Sequence, residues 1–380
     1  EPKARAAAFG TFGMVSPFIW LCFPVLTGWV VGEVSWRWVA AIWVACGAVM
    51  LVATRVLLSR THERTPTGEV ITPILAGATV AAGVQTLNRL SDDGLLAPIT
   101  LVSFVLTAAL AAMCAYLMRR MVAPTFSIAP LRVSRSRALL GTIIIIPLIN
   151  TVFFMTMAFQ YLYGLTVLQT ALVMVPAQAG AVLGTRLIAG PLMKRIGITR
   201  TAEGLFAVLA VAMLGSFFVT ADSPLWVPIV YVTVYNVLTV AASITVTSGV
   251  LISAPGVDSG QLSAYRGSAQ ALGQVLAVVV MNTFVFTLAR VFFSADLQAQ
   301  GLTEDEAAAQ MADVQAASTS PDVMNQYAVP LPSGVDTSTV MSDSIAAGLH
   351  INGVIGAILA VVCVVLVHQR RAATPTSVSP

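Results

Sequence analysis

The sequence predicts an all-α polytopic membrane protein, and three observations lead to this fold class. Apolar residues make up 57% of the 380-residue chain and charged residues only 10%, against about 25% charged residues in an ordinary soluble domain. The mean hydropathy is +0.86. The apolar residues form long continuous runs, whereas a membrane β-barrel shows short segments of alternating hydrophobicity.

The orientation in the membrane is set by the stretch from residue 137 to residue 200. Two apolar runs of membrane-spanning length are joined there by a short aromatic turn at residues 161–164. Basic residues flank both outer ends of the pair, at 135 and 137 before it and at 194, 195 and 200 after it. Lys and Arg are retained on the cytoplasmic side, so the pair enters from the cytoplasm, turns outside and returns.

Ten runs approach the ~20 residues that a bilayer core requires. The third run is the weakest, because it is rich in Gly and Thr and ends on Asn88 and Arg89. The predicted spans are 8–31, 38–58, 71–90, 95–117, 138–161, 167–190, 203–221, 225–249, 266–290 and 346–367.

The charges fit this arrangement with both termini of the chain in the cytoplasm. Sixteen of the twenty Lys and Arg residues fall on the predicted cytoplasmic side. Only Arg37, Arg89 and Arg290 fall outside, and Arg186 lies within a span. Such an asymmetry would not be expected if the span assignment were shifted by one span.

Two connecting segments stand out by their composition. Residues 293–345 contain eight carboxylates and no Lys or Arg, which predicts a long external loop. Thr303 and Glu306 have capping-box spacing, so the loop should begin with a short surface helix. Residues 118–136 form a basic, proline-containing connector, which we expect to lie at the cytoplasmic surface between two groups of helices.

The sequence offers little for catalysis or for a cofactor. The four cysteines lie on four different apolar runs, where they are expected to be small buried hydrophobes. The three histidines are scattered at span ends without metal-ligand spacing. Glycine-rich phosphate loops and nucleophile elbows are also missing from the sequence. We therefore predict no enzyme activity, no cofactor, no metal and no nucleic-acid partner.

Two stretches carry a resemblance to a known family. Residues 8–38 contain Gly10, Gly13, Pro24, Gly28 and the tripeptide Trp36-Arg37-Trp38. This pattern resembles the antiporter motif in the fifth helix of the fourteen-span drug:proton antiporters of the major facilitator superfamily. Phe23 and Thr27 stand where that motif usually has glycines. The small residues favour close helix packing, and the proline bends the helix.

The second stretch, Gly190-Pro-Leu-Met-Lys-Arg-Ile-Gly197, resembles the G-x-L-x-D-R-x-G signature of the same family. Lys194 replaces the usual acid. Residues 255–274, from Pro255 to Gln274, are similar to the loop before the family's thirteenth helix. The resemblance implies that the chain covers spans five to fourteen and is N-terminally truncated, in keeping with its start at Glu1.

The same resemblance implies a domain organisation of three parts. Residues 1–60 would be the last two helices of an incomplete N-terminal bundle, and residues 61–136 an inserted helix pair with its cytoplasmic connector. Residues 137–380 would form a C-terminal six-helix bundle that carries the external loop.

Proton coupling needs a titratable group at mid-depth in the membrane. All seventeen carboxylates lie in loops or at span ends, so the coupling acid is expected upstream of Glu1. Arg186 is the one ionised residue clearly within a span. It is either a gating or coupling partner for an acid, together with Pro24 and Gly28, or an arginine whose head reaches the cytoplasmic water layer.

Eight mid-span residues are candidates for a substrate cavity. Methionine and aromatic side chains adapt to varied apolar ligands, while a few amides orient them. Each amide could equally form an interhelical hydrogen bond. The eight candidates are Asn150, Phe154, Met157, Gln178, Tyr235, Asn236, Gln274 and Asn282.

The resemblance implies a secondary active transporter with two helical bundles that rock about a midplane cavity. Its expected task is export of amphipathic small molecules, cationic ones included, across the plasma membrane by proton antiport. Its expected partners are the substrate, protons and membrane lipids. Two alternatives stay open: a lipid or metabolite exporter on the same fold, since fold does not fix substrate, and a non-transporting membrane sensor or assembly partner.

Overall fold

The computed structural model describes residues 22–57, 71–93, 97–120, 134–149, 151–252, 262–263, 265–277 and 337–368, with a few single residues between 291 and 305. Every regular element in these ranges is helical. Seven helices of the described part are long and apolar enough to cross a membrane: Trp36–Val56, Pro98–Leu117, Ser136–Tyr161, Val167–Ile196, Ile198–Phe218, Trp226–Leu251 and Ile345–His368.

The first two helices, α1 (22–33) and α2 (Trp36–Leu57), meet at a tight corner. The Ser35 side chain accepts a hydrogen bond from the Arg37 backbone N–H at this corner. Phe23 packs edge-on against Trp43, with ring centroids 5.1 Å apart. Most of α2 is exposed and apolar, which suits a helix whose solvent is lipid.

The next two helices, α3 (Ile71–Asp93) and α4 (Pro98–Arg120), pack against each other as a helical hairpin. The hydroxyls of Thr86 and Thr107 join them at 2.9 Å. The apolar part of α3 runs only from Ile74 to Thr86, because Thr and Gly interrupt it and Asn88, Arg89 and two aspartates follow.

The following span is made of two helices, α5 (Ser134–Leu148) and α6 (Val152–Tyr161). Pro147 lies inside the last turn of α5. Proline has no N–H and its ring clashes with the preceding turn, so the regular bonding pattern ends here. The Ile149 N–H bonds the Ile146 carbonyl at 3.2 Å, three residues back instead of four.

The return span begins at α7 (Val167–Val173), where Thr166 and Gln169 form a capping box. It continues through α8 (Val175–Gly184), a π-helical turn (Thr185–Ala189) and α9 (Gly190–Ile196). Pro191 cannot donate a backbone hydrogen bond, and the Gly190 N–H just before it bonds the Thr185 carbonyl five residues back. The helix ends at Gly197, whose φ of +82° favours glycine.

The remaining described helices are α10 (Ile198–Met213), which ends in a 3₁₀ turn (Leu214–Phe218), α11 (Trp226–Ile252), α12 (265–277) and α13 (Thr337–His368). The principal core lies where α5, α10, α11 and α13 meet. A second core lies around α6 and includes side chains from α8 and α11.

The two ends of the bundle are tied by polar contacts. At the end predicted to be external, the Tyr163 hydroxyl lies 2.6 Å from Ser223 Oγ and 3.0 Å from the Thr220 carbonyl. Burial raises the pKa of Tyr163 above its ordinary value, although the Ser223 hydrogen bond acts in the opposite direction. At the other end, His368 Nδ1 lies 3.2 Å from Glu203 Oε1.

The helical fold class is confirmed, whereas the count of ten spans is not. The described part contains seven candidate spans. The first and ninth predicted spans run into residues outside the described ranges, and the third is helical but has a short apolar part. Most of the acidic segment 293–345 also lies outside the described residues. The three-part domain organisation stays a prediction.

Candidate functional site

The close packing of α8 and α11 creates the first polar site. A Cβ at Gly180 would lie 3.0 Å from a methyl group of Val237 and 3.1 Å from a methyl group of Thr233. A Cβ at Gly184 would overlap Val237. The two glycines therefore let the backbones approach closely, as small residues do in membrane helix pairs.

An amide pair lies on this helix contact. Asn236 is 8% exposed, and its Nδ2 donates to the Ala177 carbonyl at 3.0 Å. The same Nδ2 lies 3.5 Å from Gln178 Oε1. Gln178 is only half-buried, so its NH₂ group remains able to donate to a ligand. Asn236 therefore links the two helices through the Ala177 carbonyl and lies beside the Gln178 amide.

The second polar site lies at the junction between α5 and α6. Thr151, which precedes α6, is fully buried, and its Oγ1 accepts a hydrogen bond from Asn352 Nδ2 on α13 at 3.2 Å. Tyr235 of α11 lies against the Thr151 backbone. Tyr231, one turn earlier, lies close to the side chains of Thr151 and Ser216. Residues from α6, α11, α13 and the 3₁₀ turn therefore converge on Thr151.

The predicted substrate-binding residues are spread over these sites and their surroundings. Phe154 is 1% exposed and belongs to the core around α6, in edge contact with Phe153. Met157 is half-buried on the same helix, and Gln274 is exposed on α12. Asn150 and Asn282 lie outside the described residues.

The predicted gating residues also have defined positions. Gly28 is buried, and a Cβ there would lie 3.0 Å from the Ala171 Cβ and 3.4 Å from the Val167 carbonyl. α1 therefore contacts α7. Pro24, one turn earlier, is half-buried. Arg186 is exposed in the π-helical turn, between exposed Leu183 and Leu187.

Sequence reasoning missed Asn352, Thr151, Tyr231 and Ser216. Asn352 had a visible signal, because it is the single amide in the apolar run from Ile345 to Val367. The other three are ordinary in composition, and only the packing of α6, α11 and α13 brings them together.

The described polar side chains of both sites are neutral amides and hydroxyls. Among the described residues, no group of three or more His, Cys, Asp or Glu could hold a metal ion. The arrangement is suited to hydrogen-bonding a ligand inside an apolar environment and offers no acid or base for covalent chemistry within these contacts.

A comparison with protein-family models finds the Major Facilitator Superfamily over residues 1–278. The chain belongs to the major facilitator superfamily. It is a multi-pass membrane transporter of that family, whose members are in general not enzymes. No curated protein matches the sequence.

Proposed function

We propose that this transporter exports amphipathic small molecules, cationic ones included, across the plasma membrane by proton antiport, as a member of the fourteen-span drug:proton antiporter branch. The branch assignment is supported by residues 8–38 and by the Gly190–Gly197 signature. The observation that carries a ligand-binding role is Gln178, whose half-buried amide lies 3.5 Å from Asn236 Nδ2.

A half-buried amide on an apolar helix matches the chemistry of amphipathic ligands. Met157 is half-buried on α6 and offers a soft, adaptable surface. The amide gives orientation, while most of the affinity for such ligands comes from burial of their apolar surface. Substrates that differ in shape but share an apolar body and one hydrogen-bond acceptor should therefore compete with one another.

Efflux of a fluorescent cationic dye from cells that express the full protein tests the proposal. We expect dye efflux that stops when a protonophore collapses the proton gradient. Gln178→Ala should raise the KM for dye about tenfold, because one hydrogen bond worth ~1.4 kcal/mol corresponds to that factor. Gln160→Ala is the matched control, since it removes an amide from the outer end of α6. Efflux that persists with the protonophore would contradict proton coupling.

Lipid export is a second candidate, favoured by the neutral character of the described polar sites. A cationic substrate gains from a carboxylate, whereas the described contacts at Gln178, Asn236, Thr151 and Asn352 contain none. Proteoliposomes with a fluorescent phospholipid in one leaflet distinguish the two functions. Leaflet exchange without dye transport would favour the lipid exporter.

A further inference from the structure

We propose that the junction between α5 and α6 binds a monovalent alkali cation. The site would consist of oxygen atoms from Thr151, Asn352, Ser216 and the backbone at Ile149. It differs from the Gln178–Asn236 site, and its argument does not depend on export or on proton coupling.

The depth of the junction is the first part of the argument. Leu148 ends a helix that starts at Ser134, so the junction lies ~20 Å along α5 at 1.5 Å per residue. The ten residues of α6 add ~15 Å on the other side. The junction is thus near the middle of the span. Interrupted helices at this depth commonly present backbone carbonyls to bound cations.

An unsatisfied buried atom marks the ligand position. Asn352 is 0% exposed, and its Oδ1 has no hydrogen-bond partner. Its Nδ2 donates a hydrogen bond to Thr151 Oγ1, and this bond holds the amide beside the junction. Leaving a buried acceptor unpaired is costly, so the atom should have a partner that carries positive charge or a proton.

Further oxygens lie around Thr151. The Ile149 carbonyl is 3.5 Å from Thr151 Oγ1. Ser216 is fully buried, its hydroxyl lies close to Tyr231, and it faces Gly353, the neighbour of Asn352 on α13. Proline at 147 also leaves the Ile143 carbonyl without its usual intrahelical donor. Neutral oxygen atoms from side chains and from the backbone therefore meet at the junction.

The polar side chains determine whether the site favours a cation or an anion. The carbonyl end of α5 favours a cation and the N–H end of α6 favours an anion, so the two half-helix ends oppose each other. Among the described residues near Thr151, the hydroxyls of Tyr231 and Tyr235 are neutral oxygens, and the amide nitrogen of Asn352 already donates to Thr151 Oγ1. His350 lies two residues from Asn352, about 200° around the helix, with its ring stacked on Phe217 and its Nε2 3.1 Å from the Val219 carbonyl.

The neutrality of these oxygens selects the class of cation. Calcium and magnesium sites rely on carboxylates, and the described contacts of the junction contain none. A proton needs a titratable acceptor, which amides and hydroxyls do not provide at neutral pH. Neutral carbonyl and hydroxyl cages are instead the environment in which alkali ions bind inside membrane proteins.

Thermal unfolding of the purified full protein tests the site, with sodium chloride as the probe and choline chloride keeping the ionic strength constant. We expect 150 mM sodium to raise the unfolding midpoint by about 3 °C, because a ligand that binds only the folded state stabilises it. Equal midpoints in sodium and choline would mean that a water molecule fills the site, and this result would overturn the proposal.

Substitutions test whether the sodium-dependent shift of the unfolding midpoint arises at the junction. Thr151→Val and Asn352→Ala should abolish the sodium-dependent shift, whereas Thr245→Val should retain it. Thr245 is a suitable control because it is equally buried but bonds only the Ala241 carbonyl of its own helix. A sodium shift that persists in Thr151→Val would place the ion elsewhere and overturn the proposal.

A variant that should bind sodium more tightly keeps the test informative if the other two variants fail to fold. Asn352→Asp keeps the shape of the side chain and adds a charge to the ligand set, which strengthens cation sites. At pH 8.5 the sodium concentration that gives the half-maximal shift should fall at least about tenfold. An unchanged or higher half-maximal concentration in Asn352→Asp would contradict the cation site.

Discussion

At the residue scale, individual hydrogen bonds determine how the polar side chains of the transporter are held. Asn236 donates to the Ala177 carbonyl across the contact between α8 and α11, and Asn352 donates to Thr151 across the contact of α13 with α6. Both amides lie among apolar side chains, where an unpaired polar group would be costly. Their partners are therefore part of the fold as much as part of a site.

Removing the Asn236 amide tests the first of these bonds. Asn236→Ala should lower the free energy of unfolding by about 1 kcal/mol, the usual size of an interhelical hydrogen bond in a membrane protein. Thermal unfolding in detergent measures the change. Gln85→Ala, which removes an exposed amide from α3, is the control and should have a smaller effect. Equal effects of the two substitutions would contradict an interhelical role for Asn236.

The contact of Tyr163 with Ser223 and Thr220 gives a second prediction at this scale. Tyr163→Phe keeps the ring and removes the hydroxyl that lies against Ser223 and Thr220. We expect a loss of about 1 kcal/mol of stability, in the ordinary range for one hydrogen bond. Tyr116→Phe is the matched control, because Tyr116 is exposed on α4. An equal loss in both variants would argue against the contact.

At the element scale, the helices follow from patterns that the sequence displays openly, whereas their interruptions do not. Long apolar runs predict α2, α4 and α11 directly. Pro147 and Pro191 are both visible in the sequence, yet they have different effects. Pro147 ends the regular hydrogen bonding of α5, whereas Pro191 follows a π-helical turn at the start of α9. Which outcome occurs depends on the neighbouring helices that receive the freed backbone groups, and a single sequence does not contain that information.

Glycine positions give the prediction at this scale. Gly184→Ala should destabilise the protein by about 1–3 kcal/mol, because the new Cβ would overlap Val237. Gly204→Ala should leave stability unchanged or raise it by up to about 1 kcal/mol, since open space surrounds Gly204 and alanine has the higher helix propensity. Unfolding measurements on both variants check the pair. Destabilisation of the same size at Gly204 would contradict this packing.

At the scale of the whole molecule, the sequence predicted the class of protein, but single residues did not predict the sites. The membrane class and the family follow from composition and two short motifs. Of the eight substrate candidates, Gln178 and Asn236 are in mutual contact, Phe154 is core, and Gln274 is exposed. The Thr151–Asn352 contact joins residues 201 positions apart, so it depends on tertiary packing.

The hairpin of α3 and α4 supplies a prediction about modularity. Within the described residues its main contacts are internal, and both of its flanks are predicted to be cytoplasmic. A variant that lacks residues 61–133, closed by a flexible linker, should therefore insert in the membrane and unfold at nearly the same temperature. Loss of membrane insertion or a strongly lowered midpoint would show that the hairpin is integral to the helical core.

The path of the chain through the membrane is the claim on which export and both proposed sites depend. Single cysteines in a background with the four native cysteines replaced by alanine, labelled with a membrane-impermeant maleimide, test it most directly. Asp222 is exposed in the turn before α11, and Ile196 is exposed at the end of α9, so each is replaced by cysteine in turn. We predict that intact cells label Asp222→Cys alone and that Ile196→Cys reacts only after permeabilisation. Labelling of Ile196→Cys in intact cells would contradict the account.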